Sequence, residues 1–287
     1  MFVTTNLKTR SPLLTALLLL GLSTTAAVAA EVPAGSVHQG NIESRNNSIT
    51  IGDDARVEGR VEARNGSVRI GDRVSAGAIE TRNGGIRSGL GGEFGRIESR
   101  NGSVLLGADT RVASLESRNG AIRVGASSRI EGNASTRNGK IELDQNVRVS
   151  GSLEARNGAI DLASGVSVDG DVKTRNGQIE LNQALVKRSV SSRTGDLLLR
   201  NGSRVDGDLI IEITEQSGER SWFGFGGTRY PDAGNIELLG DSEVGGDIIV
   251  RLPEDYDGEL PTVTIDASSR VTGELAIDER VRVVRID

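Results

Sequence analysis

"IESRNGSVLLG", residues 97–107, decides the fold, because its central phrase returns at a nearly fixed step. Arginine followed by asparagine-glycine, or a close variant, stands at Arg45, Arg64, Arg82, Arg100, Arg118, Arg137, Arg156, Arg175 and Arg193. The steps are 19, 18, 18, 18, 19, 19, 19 and 18 residues. A short period sustained over this much chain marks a repeat architecture, in which each unit buries its apolar face against the next.

The apolar pattern inside one period gives the direction of the chain. Ahead of each arginine stands a phrase such as "IESR" (97–100) or "LEAR" (153–156), whose first and third residues are apolar or small. Side chains alternate faces along a strand, so Ile97 and Ser99 point inward while Glu98 and Arg100 point out. A second phrase follows the glycine, with apolar residues two apart as at Ile141 and Leu143. A third, such as "RVEG" (56–59), carries one or two inward valines and a glycine. The helical spacing of three and four is absent throughout. The pattern predicts an all-β fold: a single-stranded parallel β-solenoid, a right-handed β-helix, with three short strands per coil of 18–19 residues.

After Arg193 the grammar shifts. "RNGSRVDGD" (200–208) aligns with the third strand, which puts its Asn-Gly at a different corner. "GNIELLGDSEVGGDIIV" (234–250) and "TVTIDASSRVTGELAID" (262–278) repeat the second and third strands, carrying the solenoid close to Asp287. Inserted loops interrupt it near 214–234 and 251–261. About thirteen coils, at ~4.8 Å each, give a rod roughly 60 Å long, in one domain without a linker.

Asn-Gly is a turn signal because asparagine tolerates, and glycine prefers, positive φ. When the same turn recurs in every coil, its asparagines stack and their amides donate and accept along the axis. The predicted structural ladder comprises Arg64, Asn65, Arg82, Asn83, Arg100, Asn101, Arg118, Asn119, Arg137, Asn138, Arg156, Asn157, Arg175 and Asn176. Stacked arginines repel one another. Glu43, Glu62, Glu80, Glu98, Glu116 and Glu154, each two residues before an arginine, form an adjacent acidic row that is expected to pair with them, at about 0.2–1 kcal/mol per exposed pair. Ser135 and Lys173 interrupt that row, while Glu142, Asp161 and Glu180 stand on the next strand where earlier coils have Arg69, Arg87 and Arg123. The charge pattern reads either as structural or as a selected binding face.

Composition bounds the rest. Lys8 and Arg10, an apolar run over 13–22 and the small residues "AAVAA" read as a secretory signal peptide over residues 1–30. The apolar run is shorter than the roughly 20 residues a spanning helix needs. Loss of Lys8 and Arg10, with no acidic residue lost, moves the formal net charge from −6 to −8, which disfavours nucleic acid. The chain has no cysteine, which excludes disulfides and thiolate chemistry, and 38 glycines with 2% aromatics imply a core of Ile, Val, Leu and Ala.

Chemistry-bearing signals are few. "SWFGFGGTRY" (221–230) concentrates aromatics, and Trp222, Phe223, Phe225 and Tyr230 read either as a ligand or partner contact or as a local mini-core. His38 lacks ligand-spaced neighbours and reads as a surface or cap residue. Asp53 and Asp54 do not belong to a calcium loop, and "GLGGEFG" (89–95) is not a phosphate loop but a flexible third side with Phe94 in place of valine. No catalytic residue, cofactor or metal is predicted. A polysaccharide lyase or hydrolase is the third reading, placed behind the others because such an enzyme would use carboxylates that break the repeat, whereas the acids here are periodic.

The "V-x-G" third sides "RVEG", "RVSG" (148–151) and "RVTG" (270–273), on near-18-residue coils, resemble the bactofilin class of polymer-forming solenoids. The recurring "RNGxI" and "VRLPEDYDG" (250–258) look like the adhesin-type β-strand-repeat proteins of bacterial envelopes. Similarity of repeat grammar spans roughly residues 36–287. An export signal departs from the cytoplasmic bactofilins, so their cytoskeletal role is not carried over. The resemblance implies a non-enzymatic exported protein, periplasmic or at the cell surface, acting as a rigid scaffold or adhesin-like binding rod. Expected partners are an envelope polysaccharide, another envelope protein, or a second copy through the terminal coils. End-to-end filaments are the alternative, and the alternating charges of "ERVRVVRID" (279–287), which blunt a strand edge, argue against them.

Overall fold

The structure, a computed structural model, describes residues 30–214 and 230–287, and every regular element among them is a β-strand. The proposed signal segment therefore lies, but for Ala30, outside the described residues. The second phrases of the coils form one parallel sheet of 13 strands, from Ala30–Val32 to Arg282–Ile286, in plain sequence order. The first and third phrases stack in the same way on the other two sides. The chain is a parallel β-solenoid of about thirteen turns.

Register follows the repeat, like upon like. Ile97 faces Leu115, Glu98 faces Glu116 and Ser99 faces Ser117 on the first side. Val104 faces Ile122 on the second side, and Val112 faces Ile130 on the third. A one-residue slip would turn every inward side chain to solvent, so this alternation is what holds the register. The inward residues close the three sides into one apolar column, in which Ile97, Val104 and Val112 are fully buried. Branched aliphatic side chains fill this narrow interior; a ring needs extra room. Phe94 obtains it by pairing with Ala76 of the preceding coil and lying over Gly92. Of "GLGGEFG", residues 93–95 enter the seven-residue strand Glu93–Ser99, and residues 89–92 form the bend before it.

The two main corners differ in a way the sequence reading did not anticipate. Among the described residues, neither the Asn nor the Gly of the Arg-Asn-Gly corner has positive φ. The left-handed residues sit instead at the corner between the second and third sides, as at Asp54 (φ 57°), Arg73 (φ 52°), Asp109 (φ 57°) and Ser127 (φ 59°). Glycine is needed after Asn for another reason: a Cβ on Gly120 would overlap the carbonyl oxygen of Gly102, and one on Gly102 that of Gly84. Stacked coils approach so closely there that only hydrogen fits.

Backbone hydrogen bonding continues through the corner. Asn101 N–H donates to the Arg82 carbonyl at 3.0 Å and Asn119 N–H to that of Arg100 at 3.0 Å. Where the first phrase ends in Ser or Thr, that hydroxyl completes the turn, whereas Ala63 and Ala155 stand there without one: Ser117 Oγ accepts from Gly120 N–H at 3.0 Å, and Thr81 Oγ1 donates to the Gly84 carbonyl at 2.6 Å. The Asn-Gly at 201–202 does occupy the other corner, with positive φ at both residues, and Asn201 donates its amide to Asn182 at 2.8 Å.

The two insertions meet. Tyr230 and Tyr256 pack with ring centroids 5.9 Å apart, and the Tyr230 hydroxyl donates to Asp255 at 2.8 Å. The Tyr256 hydroxyl accepts Ala233 N–H at 2.8 Å and donates to the Glu259 carbonyl at 2.9 Å.

Candidate binding groove at the arginine corner

The asparagine ladder forms as a continuous chain. Asn65 donates to Asn46 at 2.9 Å, Asn83 to Asn65 at 2.8 Å, Asn101 to Asn83 at 2.8 Å and Asn119 to Asn101 at 2.7 Å. Asn138, Asn157 and Asn176 extend it at 2.8, 2.8 and 2.9 Å. Thr194 ends it, its hydroxyl donating to Asn176 Oδ1 at 3.3 Å. Each amide from Asn65 to Asn176 both donates and accepts, which holds the backbones of the adjoining arginines one above the next.

The expected pairing of that arginine column with the glutamate row does not occur. Among the described residues, none of Arg45, Arg64, Arg82, Arg100, Arg118, Arg137, Arg156, Arg175 and Arg193 makes an ion pair. Glu80, Glu98 and Glu116 are drawn the other way, while Glu43, Glu62 and Glu154 make no ion pair among the described residues. Arg96 lies 3.1 Å from Glu98 and 2.5 Å from Glu116, and Arg60 lies 3.7 Å from Glu80. Arg60 and Arg96 stand one residue before their first phrases, on the opposite flank of the glutamate row from the column. The signal was present in "GRVEAR" and "GRIESR", where a second cation precedes the phrase.

The result is a groove along the corner, with arginines on one wall and the first-side residues on the other. It begins beside Glu62 and Arg64, widens to about 500 Å³ between Glu98 and Arg156, and continues with about 360 Å³ from Glu154 to Glu212. Adjacent segments share lining residues, Glu98 with Arg100 and Glu154 with Arg156, so they follow one another along the corner. The column arginines from Arg45 to Arg175 are exposed, whereas Arg193 is half-buried. Burial, and then the neighbouring Arg175, hold the Arg193 guanidinium below its ordinary value.

The acidic wall thins along the groove. Ser135, Lys173 and Ser191 replace glutamate in later coils, and the Lys173 ammonium turns to Asp171 at 3.1 Å. Glu212 is held by Arg251 at 3.4 Å. Acid reappears on the second side, where Glu142 takes Arg123 at 2.6 Å and Asp161 takes Lys140.

No protein family, curated protein or solved structure matches this chain.

Trp222, Phe223 and Phe225 lie outside the described residues. Tyr230 is 4% exposed and packs in the clasp between the two insertions, which leave the chain at this same corner in the coils that follow Arg193. Burial of the Tyr256 hydroxyl raises its pKa above the ordinary phenol value. Asp53 accepts Asp72 N–H at 2.8 Å and Asp54 pairs with Arg73, so both acids brace the corner of the next coil. His38 lies in the strand Val37–His38, its carbonyl accepting Glu58 N–H.

Proposed function

We propose that this chain is an exported, non-enzymatic rod of the bacterial envelope, a rigid scaffold that presents an adhesin-like binding face. One observation carries the reading: a column of guanidinium groups, unpaired with any carboxylate, lines a groove that runs along the solenoid. The hydrogen-bonded ladder holds the arginine backbones in register, so a repeating anionic ligand meets guanidinium groups at a fixed step. The signal-peptide pattern over residues 1–30 and the resemblance to adhesin-type repeat proteins support the location.

Cell fractionation with an antibody to the chain tests it. Recovery with the envelope or periplasm, as discrete rods about 60 Å long by electron microscopy, is the expected result. Retention in the cytoplasm would overturn the location. Filaments that lengthen with concentration would favour end-to-end assembly, and release of reducing ends from a polysaccharide would favour an enzyme.

A further inference from the structure

We propose that the groove between Arg118 and Arg193 binds a linear acidic polysaccharide, its carboxylates seated on the arginine column and its hydroxyls directed at the opposite wall. This rests on the reading of the rod as an envelope-binding scaffold and names the ligand class.

Three features of the groove select that chemistry. The first is spacing. Stacked coils place a guanidinium every ~4.8 Å, the separation of neighbouring strands, which is close to the rise of one pyranose unit in an extended glycan. An extended acidic peptide presents same-face side chains every ~6.6 Å and falls out of step within a few coils.

The second is charge density. Duplex DNA carries a charge every ~1.7 Å and is bound by dense basic surfaces. Here a single arginine row faces residual acid, Glu116, Glu154 and Glu212, on a chain of formal net charge −6. A polymer with one carboxylate per sugar meets far less repulsion.

The third is the opposite wall. Ser135, Ser191 and the Glu154 carboxylate offer groups that accept from sugar hydroxyls, and carboxylates favour hydroxyl donors where they would repel phosphates. The section from Arg118 to Arg193 is favoured because its acidic wall is interrupted at residues 135, 173 and 191, whereas residues 62, 80 and 98 at the start of the groove are all glutamate. Among the described residues no aromatic side chain lines the groove, so binding there is dominated by charge and weakens steeply with salt.

Titration of the purified full chain with fluorescently labelled oligogalacturonate, with its methyl ester as the uncharged counterpart, tests the proposal. The free acid is expected to bind and the ester to bind at least about tenfold more weakly, as charge-assisted bonds are lost. The Arg137→Gln/Arg156→Gln/Arg175→Gln variant is expected to lose binding by about tenfold or more. Ser135→Glu with Lys173→Glu removes no arginine and copies residues that neighbouring coils already carry at the paired positions Glu116 and Glu154. It is expected to weaken binding several-fold with an unchanged circular dichroism spectrum, whereas Arg129→Gln/Arg148→Gln on the third side is expected to leave binding as it was.

Equal binding of acid and ester, unaltered binding by the groove variants, or tighter binding of polyphosphate or single-stranded DNA than of oligogalacturonate would overturn the proposal. Isolated envelopes separate it from the reading beneath it. If the triple variant still sediments with envelopes, the scaffold stands and the arginine ligand is wrong. If the wild-type chain binds oligogalacturonate but not envelopes, the ligand class stands and the envelope role falls.

Discussion

Asn119 donates its side-chain amide to Asn101 at 2.7 Å and accepts that of Asn138 at 2.8 Å, so one residue ties three successive coils. Removing it breaks two links at once. Asn119→Ala is expected to destabilise the chain by about 1–2 kcal/mol, the net worth of two hydrogen bonds. Asn119→Asp keeps the acceptor but sets a carboxylate against the Asn101 oxygen. Only the protonated acid donates there, which raises its folded pKa above the ordinary ~3.9 of aspartate. The defect of the Asp variant relative to wild type is therefore expected to shrink as pH falls towards about 4. Urea unfolding at pH 7 and pH 4 measures both effects.

Gly120 and Gly202 are both corner glycines, but they are required for different reasons. Gly202 has φ 76° with open space around its Cα, so Gly202→Ala meets backbone strain of roughly 1–2 kcal/mol. Gly120 lies outside the left-handed region, yet its Cβ would strike the Gly102 carbonyl, which cannot move without shifting the coil beneath. Gly120→Ala is expected to be the worse of the two, at about 3 kcal/mol or more. Thermal unfolding that ranked Gly202→Ala as more damaging would contradict the close-approach account.

These corners show what the sequence makes legible. The arginine period and the two-residue alternation suffice for the solenoid, because parallel stacking forces each coil to repeat its predecessor's pattern. Asn119 stacking on Asn101 follows directly. The role of Gly120 does not, because it depends on the distance between coils and not on local turn preference. The direction taken by Glu98 depends on a competition between Arg96 and Arg100 for one carboxylate, which spacing alone leaves open since both lie two residues from it. The aromatic cluster divides: Tyr230 packs against Tyr256 through an insertion 26 residues downstream, a pairing with no periodic signal.

Tyr256 makes the clasp between the insertions sensitive to alkali. Its hydroxyl is buried and bonded to Ala233 N–H and the Glu259 carbonyl, and burial raises its pKa above the ordinary 10.0. The folded state thus prefers the neutral phenol. Its contribution is present in full below pH 10 and is lost as pH rises from 10 through the folded value. Tyr256→Phe is expected to cost about 1–2 kcal/mol at pH 8 and to flatten the decline above pH 10. Denaturant midpoints of both proteins at pH 8, 10 and 11 provide the check.

Phe94 and Ala76 occupy the same column on adjacent coils, the third-side position otherwise filled by residues such as Val112 and Val57. Ala76 is small where the Phe94 ring is large, and the ring covers Gly92 in place of a further side chain. Phe94→Val alone removes buried ring volume and leaves Ala76 unable to fill it, at about 2–4 kcal/mol. Ala76→Val alone crowds a ring already enclosed, at about 1–3 kcal/mol. Together they write the Val57 and Val112 pattern into the two intervening coils, so the losses should not add. The double variant is expected to be at least about 1 kcal/mol more stable than the sum of the single changes implies, the coupling that contacting residues show. Additive losses would mean that the ring and the alanine do not share space, and that the column tolerates Phe94 for some reason other than its small neighbour.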